Sequence, residues 1–140
     1  MGCSTTMGVL TMDDLAKLVL RVTLGALLLF HGVDKLIGGI DPIVGMVAAR
    51  GWPALLAWGV YAGEVLGPLL VIVGLFTRLG ALLILGNMLV ALLLVHGGHF
   101  LMLTETGGWR LELQAFYLLT ALAVLLLGPG EHSVDARRGS

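Results

Sequence analysis

Three ionisable side chains, Arg21, His31 and Glu64, stand inside apolar stretches of a chain that otherwise keeps charge out of such stretches. Glu64 is the most demanding of the three. It is the only charge between Leu55 and Phe76, and at 1.5 Å per residue it lies about 13 Å from the nearer helix end. A carboxylate facing lipid at that depth costs at least ~2.5–3.5 kcal/mol. It must therefore face protein or a wet cavity, either in a structural pair that fixes the bundle or as a group that exchanges protons with a ligand. His31 approaches from the other side, about 7.5 Å below the outer end of its segment. Arg21 either snorkels to water or extends along its own helix face towards Glu64, across a depth difference of about 9 Å. We expect these three to form the reactive group of any chemistry the chain performs.

Other polar residues flank them. Lys35 is one turn from His31, and Asn87 is the one strongly polar residue inside the stretch from Leu79 to His96; amides at such positions tie helices together. His96 and His99 are spaced for a metal, but Gly97 and Gly98 between them end the helix and leave the geometry unfixed. A haem would need His31 and His96 to face one another across the bundle. We expect neither. Trp109 and Glu112 open the last apolar segment, where Glu112 suits the helix dipole and both are candidates to contact a ligand. The lone cysteine, Cys3, provides no dithiol and no disulfide framework.

These residues are positioned by membrane helices. Of the 140 residues, 58% are hydrophobic and 12% charged, against roughly 25% charged in a soluble domain. A span needs about 20 apolar residues, and four segments qualify or nearly so: residues 15–36, 55–76, 79–96 and 111–127. The first twelve residues read as an unstructured leader, residues 13–135 as one four-span domain and residues 136–140 as a tail. Thr77-Arg78 reads as a tight turn that makes spans two and three antiparallel neighbours. Between spans one and two, Asp41-Pro42 starts and Gly51 stops a short helix, which should lie in the interface or tuck into the bundle mouth. Trp52, Trp58, Tyr61 and Trp109 belong to an interfacial aromatic belt. Lysine and arginine divide five to three in favour of the side holding Lys17, Arg21, Arg78, Arg137 and Arg138, which assigns both termini to the cytoplasm. With a net charge of −1, nucleic acid is not an expected partner; the lipid bilayer is.

Glycines mark the packing faces. Gly59, Gly63 and Gly67 recur every four residues in span two, and Gly25 and Gly32 share a face of span one with Arg21; small residues at such spacing let backbones approach in lipid. Pro68 should kink span two and free carbonyls that neighbours must satisfy.

In order along the chain, Arg21-x-x-x-Gly25, His31-Gly32-x-x-Lys35-Leu36, Gly51-Trp52-Pro53, Ala62-Gly63-Glu64, Gly74-Leu75-Phe76-Thr77-Arg78 and Gly128-Pro129-Gly130 with Ser133 and Asp135 resemble the DoxX family of small four-helix membrane proteins. The resemblance implies an all-α integral membrane four-helix bundle in a prokaryotic cytoplasmic membrane. Some members resemble the small subunit of thiosulfate:quinone oxidoreductase, and others look like partners of soluble redox enzymes. On that basis we expect a quinone-associated or anchoring subunit of a redox system, with quinone as the cofactor and His31 or Glu64 bonding its carbonyl. Two rivals stand beside it. One is a permease or binding protein for a small lipophilic or sulfur-containing molecule, which four spans would support only as an oligomer. The other is a non-catalytic scaffold that recruits a soluble oxidoreductase.

Overall fold

A computed structural model describes residues 11–95 and 101–138. The predicted leader up to residue 10, together with His96 and His99, lies outside the described residues. Among those described the architecture is all-helical, and the element boundaries follow from local chemistry. Helix α1 (Met12–Gly38) begins where the Thr11 hydroxyl accepts the Asp14 N–H, with Asp13 and Asp14 in the first turn and Lys35 in the last. The cap carries the helix three residues further back than the predicted start at Leu15. Its buried residues, Arg21, Leu24, Gly25, Leu28 and Gly32, recur at helical spacing and make one inward stripe.

Helix α2 (Asp41–Ala49) has Pro42 in its first turn and ends before Gly51, whose φ of 71° suits glycine. It tucks into the bundle mouth. Ile40 and Val47 bury against Ala57, Val60 and Leu94, and the Arg50 guanidinium donates to the Leu94 carbonyl at 3.0 Å.

Span two runs through α3 (Leu55–Tyr61), a π-helical turn (Ala62–Leu66) and α4 (Gly67–Val73). Proline lacks an N–H, so Pro68 cannot bond the carbonyl four residues back, which belongs to Glu64. The chain absorbs this by widening into the π turn, in which the Gly67 N–H reaches the Ala62 carbonyl. The irregularity expected at Pro68 is therefore a π turn that carries Glu64.

The span ends at Val73, not at Phe76, and the turn to the next helix is Gly74-Leu75-Phe76. Gly74 is left-handed at φ 73°. Thr77 opens helix α5 (Thr77–Val95) and so lies in the helix, not in the turn. The sequence reading misplaced the turn because its cap comes from far away. The Asp135 carboxylate, on the short helix α7 (Val134–Arg138), accepts the Phe76 and Thr77 N–H groups at 2.8 Å each and the Thr77 hydroxyl at 2.9 Å. Burial would raise the Asp135 pKa, but these donors and Arg138 hold it below the ordinary 3.8. A carboxyl depressed in the folded state stabilises above its unfolded pKa and loses that contribution as pH falls through the folded value. Asp135→Ala should therefore cost about 1–2 kcal/mol near neutral pH, the usual worth of an N-cap. Its melting temperature should converge with wild type as pH falls through the lowered pKa of the folded-state carboxyl, measurable by circular dichroism in detergent.

Helix α6 (Glu112–Leu127) closes the bundle and packs most extensively on α5. Helix α1, span two and α5 are each long and apolar enough to cross a membrane, while α6 has 16 residues, about 24 Å of rise. Leu24, Leu28, Val71, Ala81, Ile84, Met88, Tyr117, Ala121 and Val124 form the core. Large apolar side chains such as Val19, Leu27, Phe30, Leu82 and Phe116 point outward, as lipid contact requires.

The predicted glycine face of span two is split by the π turn. A β-carbon on Gly67 would stand 3.0 Å from the Gly80 carbonyl oxygen, so Gly67 marks a close crossing with α5. Gly63 meets the Asn87 side chain, whereas Gly59 faces open space. The extra residue in the turn rotates Gly59 off the face of the other two. On α1, Gly25 lies against Pro68 and Ile72, and Gly32 lies against the Glu64 carbonyl. The carbonyl freed by Pro68 is thus the one that Gly32 approaches.

Candidate functional site

Glu64 leaves the π turn pointing into the bundle and is 7% exposed. Both oxygens are engaged. Oε2 accepts from the Lys35 ammonium of α1, forming an ion pair, and Oε1 accepts from the Asn87 amide of α5 at 3.2 Å. Gly63 makes the second bond possible, because any side chain there would occupy the space of the Asn87 side chain. Lys35 is fixed in turn, its carbonyl accepting the Tyr61 hydroxyl at 3.1 Å. Three helices are thereby joined through one carboxylate.

This triad borders a cavity of about 280 Å³. Leu28, Val60, Met88 and Ala91 supply apolar wall, and Ile43, Met46 and Val47 of α2 cover one side. The polar lining is His31, Lys35, Glu64, Asn87, Gln114 and Tyr117. His31 stands at the exposed rim, and its ring meets that of Tyr117 edge-on, with centroids 6.0 Å apart at 84°. An apolar chamber with a few convergent polar groups is the usual form of a small-molecule site, and this one adds a carboxylate, an ammonium, an imidazole and a phenol that can move protons.

The structure brings together His31, Lys35, Glu64 and Asn87 of the residues singled out from sequence. It separates Arg21. That residue lies fourteen positions before Lys35, about 21 Å along the helix, and its guanidinium turns the other way. Arg21 is 1% exposed, donating to the Val71 carbonyl at 3.4 Å and the His132 carbonyl at 2.5 Å. It is a structural cation, not part of the cavity; the ion-pair partner of Glu64 is Lys35. Trp109 and Glu112 also lie outside the lining. The Glu112 N–H bonds the Trp109 carbonyl at 3.0 Å, and Trp109 pairs with Leu103 in a small bridge within the connecting loop. His96 lies outside the described residues, and among those described no three His, Cys, Asp or Glu side chains converge as metal ligands. Sequence reading passed over Gln114 and Tyr117. Their only signal is a three-residue spacing that puts both on one face of α6.

A protein of Haemophilus influenzae, described as uncharacterized, is 31% identical over 119 residues, covering 83% of this chain and 85% of that one. No solved structure matches. The family that does match is DoxX, over residues 16–97, a stretch that holds Arg21, His31, Lys35, Glu64 and Asn87 and more than half of the chain, and the chain accordingly belongs to the DoxX family of small membrane proteins.

Proposed function

We propose that this protein binds the headgroup of a quinone in the cavity between α1, span two, α5 and α6, as a subunit of a membrane redox system. The observation that carries the reading is the Lys35–Glu64–Asn87 triad at the wall of an otherwise apolar chamber inside the bundle. At about 280 Å³ the chamber is near the lower end of the range for ligand pockets, which suits one substituted ring with its tail in lipid. His31 and Tyr117 offer hydrogen bonds to a carbonyl oxygen, and Glu64 and Lys35 offer proton exchange. The chain carries no dithiol, so electrons would come from a companion subunit. The basic-residue bias favours placing the Arg78 end in the cytoplasm of a prokaryotic cell and the cavity in the outer half of the membrane.

The permease reading is less well supported. The packed core of Leu24, Val71, Ala81, Ala121 and Val124 lies between the cavity and the Arg78 end, which favours a binding chamber over a conduit. The test is extraction of protein purified in mild detergent from membranes containing quinone. Wild type should release close to one quinone per chain. Leu28→Trp, which fills the chamber, should release less than a tenth of that while keeping its helical content. Equal quinone in both preparations would refute the assignment.

A further inference from the structure

The opposite end of the bundle carries a feature that the cavity does not use. Phe76, Thr77, Arg78, Leu79, Pro129 and Asp135 line an open groove of about 380 Å³. The Arg78 guanidinium folds against the turn that follows α6; a β-carbon built on Gly128 would stand 3.2 Å from its Nη2. Arg78 is exposed, and no described residue gives it a hydrogen bond or ion pair. The nearby carboxylate is already committed, since Asp135 accepts from Phe76 and Thr77 through both oxygens. A second cation adjoins, the Arg138 guanidinium lying 4.8 Å over the ring of Phe76. Arg78 lines the groove, Arg138 stands beside it, and both oxygens of the one carboxylate in its lining are bonded to the start of α5.

Directly beneath are exposed leucines. Leu79 and Leu82 are each 51% exposed, and Leu82 is one turn below Arg78 on the same helix face. A planar guanidinium fork above an apolar face matches a phosphate ester above a hydrocarbon chain, and basic pockets at helix ends are where anionic headgroups bind. We infer that this groove holds an anionic phospholipid, with Arg78 on the phosphate and the first acyl segment along Leu79 and Leu82. The inference stands apart from the quinone reading, because it involves none of the cavity residues.

Native mass spectrometry of the full chain in neutral detergent tests it, with phosphatidylglycerol and phosphatidylcholine supplied at equal mole fraction. Wild type should retain phosphatidylglycerol in preference. Arg78→Gln should lower that retention about fivefold, equivalent to about 1 kcal/mol, and Arg78→Lys should keep most of it. Among the described residues Arg78 has no hydrogen-bond or ion-pair partner to lose, so circular dichroism of both variants should match wild type. Equal retention of the two lipids, or full retention by Arg78→Gln, would overturn the proposal. So would displacement of the bound lipid by millimolar inorganic phosphate, which would assign the groove to free anions.

Discussion

Gly32→Ala is expected to destabilise the bundle by at least ~3 kcal/mol, while Gly59→Ala, despite its place in the every-fourth-residue glycine pattern, should stabilise it by about 0.5–1 kcal/mol. The opposite signs follow from what a β-carbon would meet. At Gly32 it would overlap the carbonyl of Glu64 and stand 2.9 Å from Val65 Cγ2. A backbone carbonyl in a π turn cannot swing aside as the end of a flexible side chain can, so α1 must move off span two and the core behind it must loosen. At Gly59 nothing lies within 4 Å, and alanine removes only the cost of glycine inside a helix. Thermal unfolding in detergent, followed by circular dichroism, should therefore fall well below wild type for the first and rise slightly for the second. The Gly32 variant should also disturb ligand binding, because displacing span two displaces Glu64.

The second large effect concerns the ion pair. Lys35→Met should cost about 2–3 kcal/mol, and Glu64→Gln less than half of that. Removing one member of a buried pair leaves the other charge uncompensated, typically at ~3–5 kcal/mol; we take a lower figure because the Lys35 side chain is 22% exposed and solvent screens it. The asymmetry arises because Lys35 alone can extend its ammonium towards water, whereas the Glu64 carboxylate, 9% exposed in its side chain, has nowhere to go. In Lys35→Met the Asn87 amide remains, but it supplies a hydrogen bond and no charge. Combining Lys35→Met with Glu64→Gln should recover most of the lost stability, a coupling that a double-mutant cycle reads directly. An additive result would mean that the pair does not hold α1 to span two.

The sequence made much of this legible for definite reasons. Spans show themselves by apolar length, and Asp41-Pro42 with Gly51 marks α2, because both signals are local. Glu64 stands out because a carboxylate is rare in such a stretch, and Asn87 was identified as a tie between helices for the same reason. What escaped was set by contacts distant in sequence. Arg21 bonds a carbonyl 111 residues away, and Asp135 caps a helix 58 residues before it, so neither role can be read from a window of neighbours. Lys35 stands one turn from His31 near the end of α1, but nothing local pairs it with a carboxylate 29 residues on; only the reach of its four-carbon stem brings it to Glu64. The π turn was hidden because helical periodicity assumes 3.6 residues per turn throughout, and a single inserted residue moves Gly59 away from Gly63 and Gly67. Pro68, four residues after Glu64, was the one local sign, and it indicated an irregularity without specifying its form. Gln114 and Tyr117 went unremarked because an amide at a helix start and a phenol in an apolar span are ordinary until a cavity is seen between them.

The central claim, that Glu64 and its partners form a quinone site, is tested most directly by equilibrium titration of the purified chain with a short-chain benzoquinone, followed by quenching of tryptophan fluorescence. Wild type should saturate at one ligand per chain, and Glu64→Gln, which keeps the shape of the side chain and removes its charge, should bind at least about tenfold more weakly, a difference of ~1.4 kcal/mol. Quenching that rises linearly without saturation, or identical curves for the two proteins, would contradict it.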